Sequence, residues 1–82
     1  MEKMALYSMT LTTDIVRVMA RVRTVGLWSG VTTDWEMVRR TLDNWRKEGG
    51  TMRLQTVEVY GRENWPPDNI KTEMENIGVT IK

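Results

Sequence analysis

Trp35, Val38, Leu42 and Trp45 recur at spacings of three and four residues, the repeat of a single helical face, and this stripe limits the available folds more than any other feature. Glu36, Arg39, Arg40, Asp43, Arg46 and Lys47 fill the rest of that helix, so its apolar face is narrow and needs another element to cover it. Thr33-Asp34-Trp35-Glu36 reads as a capping box, in which the Thr33 hydroxyl accepts from the Glu36 amide and the Glu36 side chain reaches back to the Thr33 amide. Gly49-Gly50 closes the helix, and Arg46 and Lys47 sit where its dipole favours cations. Glu36 with Arg40 and Asp43 with Lys47 stand at i,i+4 and are expected to pair, each contributing roughly 0.2–0.5 kcal/mol.

The segments around this helix read as strands. Residues 4–11 alternate, with Ala5, Tyr7, Met9 and Leu11 on one side and Ser8 and Thr10 on the other, as in a half-buried strand. Thr12-Thr13-Asp14 supplies a turn. Residues 15–28 fit two periods: Ile15, Val18, Met19 and Val22 lie on a helical face that Asp14 would cap. The β-branched content and the alternation of Val16, Val18, Ala20, Val22 and Thr24 with Arg17, Met19, Arg21 and Arg23 instead predict a long strand. With so short a turn before it, this strand is expected to pair antiparallel with the first as a hairpin.

Trp28-Ser29-Gly30-Val31-Thr32 then connects to the helix. Residues 51–60 are strand-like but change phase, since Met52 and Leu54 point one way and Val57 and Val59 the other, which predicts a bulge near Gln55-Thr56. After a loop at 61–64, Trp65-Pro66-Pro67 leads into a short helix with Ile70, Met74 and Ile77 on one stripe and Gly78 beyond its end. Residues 79–82 form a last strand. No internal repeat or linker stands out.

The expected fold is therefore a single α+β domain over residues 1–82, in the order β-β-α-β-α-β. It is a two-layer sandwich of a four-stranded mixed sheet with two helices on one face. At 82 residues, a chain buries roughly 60% or a little more of its unfolded surface, so its core is small. With no cysteine and no histidine, it has neither a disulfide nor a tight zinc site to reinforce that core, which leaves self-association as a route to extra stability. No run of about 18 apolar residues is present, so no membrane span is expected. The opening Met1-Glu2-Lys3-Met4 is unlike a secretory signal, and together with the missing cysteines it points to the cytoplasm.

Chemistry is sparsely equipped. The commonest general base and the thiol nucleophile are missing, Ser8 and Ser29 have no histidine partner, and no phosphate-binding glycine loop occurs, so a non-enzymatic protein without cofactor or metal is expected. Net charge is +1, with basic residues in excess from Asp14 to Arg53 and acidic residues in excess from Glu58 onward. That balance falls short of a nucleic-acid binder's.

On the strand reading, Arg17, Arg21 and Arg23 share one outer face with Met19 between them, either as a solvated face or as a contact surface. Trp35 and Trp45 belong to the core stripe, whereas Trp28 and Trp65 lie in loops, where tryptophan often anchors an interface. The leading expectation is a small protein-binding module acting by occlusion or complex formation, with Arg17, Met19, Arg21, Arg23, Trp28 and Trp65 as contacts. A virus- or mobile-element-encoded accessory or inhibitor protein fits that profile. The alternatives are a nucleic-acid binder using the basic sheet face and a structural homodimer.

Overall fold

The computed structural model describes residues 2–82, and its helices and strands alternate along the chain. Strand β1 (Lys3–Leu6) leads to helix α1 (Thr13–Met19) and β2 (Thr24–Leu27). Helix α2 (Trp35–Lys47) and β3 (Thr56–Val59) follow, then a 3-10 turn (Arg62–Asn64), α3 (Asp68–Asn76) and β4 (Thr80–Ile81). The four strands lie in sequence order and every adjacent pair is parallel. The fold is α+β in content as expected, but the sheet is not mixed and the described residues hold three α-helices rather than two.

The difference originates in residues 13–23. The expected second strand is a helix followed by a turn, and β2 is only the last part of the segment. The Thr12 hydroxyl caps α1 by accepting from the Ile15 amide at 3.3 Å, Asp14 lies in the first turn, and Val16, Met19 and Ala20 are buried at helical spacing. Val16, Ala20 and Val22 are buried as the strand reading places them, so positions 18 and 19 are the ones that contradict it. Val18 is 48% exposed and Met19 fully buried, the reverse of the strand reading. Local β preference is weak and yields to packing against α2. With a helix between them, β1 and β2 cannot form a hairpin, and a crossover places them parallel.

Strand β1 is also shorter than expected and faces the other way. Ser8 adopts a left-handed conformation, φ 45°, which breaks the extended run. Met4 and Leu6 are the inward residues, while Ala5 and Tyr7 face out. Leu11 is still buried, but from a loop whose amide donates to the Thr32 carbonyl at 3.0 Å.

Later elements follow the sequence more closely. The cap of α2 is Asp34 rather than Thr33, with the Asp34 carboxylate accepting from the Met37 amide at 3.2 Å. A charged acceptor beside the helix N-terminus wins over a hydroxyl one residue earlier. Glu36 instead contacts Arg39, while Asp43 and Lys47 pair at 3.0 Å as expected. The bulge does not form: residues 51–55 run as a connection and the strand begins only at Thr56, so the phase change marks a boundary. Helix α3 buries Ile70 and Met74 and ends at Gly78, whose φ of 90° suits glycine.

One apolar cluster unites these elements. Leu6, Val25, Leu27, Val57 and Ile81 from the strands join Val16, Met19, Val38, Leu42, Ile70 and Met74 from the helices. Outward residues on the strands are Lys3, Ala5, Gly26, Glu58 and Thr80, which alternate with the buried ones as the pleat requires. Helix α3 is tied to α2 by Arg39, whose guanidinium is 2.9 Å from Glu73 and also contacts Glu36. Those contacts, led by the Glu36 hydrogen bond, raise the Arg39 pKa above its ordinary value.

Candidate functional site

Across the ends of three strands stand similar triplets, an aliphatic residue, an aromatic and a small residue: Leu6-Tyr7-Ser8, Leu27-Trp28-Ser29 and Val59-Tyr60-Gly61. The first residue of each is directed to the core and the second is exposed. Backbone bonds hold the triplets in register. The Trp28 amide donates to the Leu6 carbonyl at 3.0 Å and the Tyr60 amide to the Leu27 carbonyl at 2.9 Å. Because strand neighbours lie about 4.8 Å apart, side chains in register are brought to stacking distance.

The rings of Tyr7, Trp28 and Tyr60 therefore form a row. Tyr7 and Trp28 stack with centroids 5.5 Å apart and planes 21° from parallel, and Trp28 and Tyr60 stack at 4.2 Å and 17°. These side chains remain 59%, 38% and 45% exposed in turn. Within the row Trp28 is stacked on both sides, while Tyr7 and Tyr60 each keep one outer ring face that the row does not cover.

The row continues into a groove. Val59, Tyr60, Gly61, Arg62 and Trp65 line a cavity of about 770 Å³, and Trp65 is itself largely exposed. Its position is fixed from behind by Trp35, whose indole N–H donates to the Asn64 carbonyl at 2.7 Å in a buried contact. On the strands below the aromatic row, Lys3 reaches across β2 to Glu58 at 3.3 Å. Gly26 lies between them and leaves the sheet without a side chain at its centre.

Of the residues selected from the sequence, Trp28 and Trp65 belong to this surface. The arginines do not line a common strand face, because that strand does not exist. Arg17 lies on α1 beside Arg40 of α2, and Met19 is in the core. Arg21 and Arg23 lie in the turn before β2, with Arg23 3.1 Å from Glu2. Tyr7, Tyr60 and Arg62 were not selected, and the recurrence of the triplet is the signal that finds them. Trp35 is buried as expected, and Trp45 packs partly buried against the core.

Among the described residues no cluster of three or more acidic, histidine or cysteine side chains is positioned to hold a metal. No helix among them is long and apolar enough to cross a membrane. No known protein family, curated protein or solved structure matches the chain.

Proposed function

We propose that this chain is a small non-enzymatic protein-binding module acting in the cytoplasm by occlusion or complex formation, and that its contact surface is the open side of the sheet. In this reading the helices form one layer and the sheet the other, so the sheet face away from the helices is left to a partner. The observation that carries it is the exposed Tyr7-Trp28-Tyr60 row, extended by Trp65 and Arg62. Tyrosine, tryptophan and arginine dominate binding hot spots because they join large rigid apolar area to directional donors. Stacking lowers the entropy each ring loses on binding, since its neighbours already restrict it.

A nucleic-acid binder would line the aromatic row with several cations, and here Arg62 borders the groove while Arg17, Arg21 and Arg23 line clefts that hold none of these rings. The deciding experiment measures affinity for a partner captured from the host. Trp28→Ala and Tyr60→Ser are each expected to weaken binding about 30-fold, a loss of about 2 kcal/mol. Arg17→Glu on α1 is expected to leave it unchanged. Wild-type affinity in both folded ring variants rejects this surface. Binding to an oligonucleotide that collapses with added salt favours the nucleic-acid reading, and twice the monomer mass in solution favours the homodimer.

A further inference from the structure

At the end of the sheet opposite the aromatic row, successive helix-to-strand connections bring Arg21, Arg23 and Arg53 around one cleft of about 520 Å³. Arg21 and Arg23 come from the turn after α1 and Arg53 from the connection after α2. Met52 and Ile77, which pack against the core, also line the cleft. The one carboxylate on the wall, Glu2, is engaged by Arg23 at 3.1 Å. Arg21 and Arg53 have no ion-pair partner among the described residues.

Backbone hydrogen bonds hold the two connections against each other. The Arg53 amide donates to the Ala20 carbonyl at 2.8 Å and the Gln55 amide to the Arg23 carbonyl at 2.9 Å, which ties the two connections together through their backbones. The Arg21 guanidinium carbon lies 6.0 Å from the centre of the Trp45 ring, at the outer reach of a cation–π contact. That ring is itself anchored, its indole N–H donating to the Thr51 carbonyl at 3.0 Å. Arg21 and Arg53 also share a second cavity of about 340 Å³ with Trp45 and Thr51. Arg21 and Arg53 line both cavities, and each planar guanidinium offers a fork of donors that fits phosphate oxygens.

We propose that this cleft binds a phosphate dianion, with Arg21 and Arg53 matching its two charges and Arg23 already neutralised by Glu2. A monocarboxylate would leave one of those charges unmatched. The same chemistry is offered by inorganic phosphate and by an organic monoester whose apolar group meets Met52 and Ile77.

The test is a titration of isotope-labelled protein with inorganic phosphate and with phenyl phosphate at constant ionic strength, following the arginine side-chain N–H signals. Saturable shifts of Arg21 and Arg53 with a Kd below about 10 mM are expected, each tenfold in Kd being about 1.4 kcal/mol. Arg21→Gln and Arg53→Gln are each expected to weaken binding about tenfold, a typical scale for losing a charge-assisted hydrogen bond. Arg40→Gln, on the exposed side of α2, is expected to have no effect. Tighter binding of phenyl phosphate supports the cleft with an ester as its ligand, and equal binding supports it with free phosphate. Shifts that chloride reproduces, a folded double variant that still binds, or a single-stranded oligonucleotide that binds far more tightly than either probe would overturn the assignment.

Discussion

The rings of Trp28 and Tyr60 stack with centroids 4.2 Å apart above Gly26, where a Cβ atom would lie 3.3 Å from both Trp28 Nε1 and Tyr60 Cε2. The aromatic row and the bare centre of the sheet are therefore one feature. The rings lean back over a strand position that carries no side chain, a known way of compensating a glycine in a sheet.

Gly26→Ala follows from that contact. The added methyl crowds both rings by a few tenths of an ångström, and because they are exposed they are free to move. The unfolded chain also loses some freedom, so net stability is expected to stay within about 1 kcal/mol of wild type. The near-UV circular dichroism of the stacked pair is expected to change. A spectrum superimposable on the wild type's would show that the row does not rest on Gly26.

Positions 18 and 19 test the helix directly. Met19→Ala removes a fully buried side chain and is expected to cost about 2–5 kcal/mol in urea denaturation. Val18→Lys, on the exposed side of α1, is expected to change stability by no more than about 0.5 kcal/mol. If the two effects were exchanged, the segment would be a strand.

Gly49 and Gly50 are adjacent but constrained by different causes. A Cβ on Gly50 would run into the Trp45 ring, whereas one on Gly49 meets nothing within 4 Å, and Gly49 is held at φ 85°. Gly50→Ala is expected to cost about 1–3 kcal/mol through overpacking and to shift the Trp45 fluorescence. Gly49→Ala is expected to cost about 1–2 kcal/mol, the left-handed backbone penalty, with the emission unchanged. Equal spectral changes in the two variants would contradict this division.

Trp35→Phe keeps most of the buried ring but removes the donor to the Asn64 carbonyl. Leaving that buried carbonyl unpaired is expected to cost about 1–3 kcal/mol. Hydrogen exchange is expected to quicken at residues 61–65 and so to loosen the Trp65 groove, with the β2 amides less affected. Uniform quickening throughout the chain would mean that the contact supports the whole core rather than this loop.

The elements most legible in the sequence were those with a single solution. The Trp35-Val38-Leu42-Trp45 stripe, the paired glycines after it, and the proline-led α3 ending at Gly78 each combine period, cap and breaker in agreement. Residues 15–23 satisfy two periods at once, and β-branched composition tipped the reading toward strand. Trp28 and Trp65 were legible as exposed aromatics because they stand beside turn residues, but Tyr7 was hidden by an inverted reading of β1.

By itself, the sequence determined the apolar faces of α2 and α3, their ends, and the absence of any cysteine or histidine. All of these follow from local spacing and residue chemistry. Only the tertiary structure decided that residues 13–19 coil, that the sheet is parallel, and that Tyr7, Trp28 and Tyr60 share one row. The reason is that α1 gains its stability by burying Val16 and Met19 in the common core, and strand register depends on partners distant in the chain. Neither quantity is present in a window of neighbouring residues.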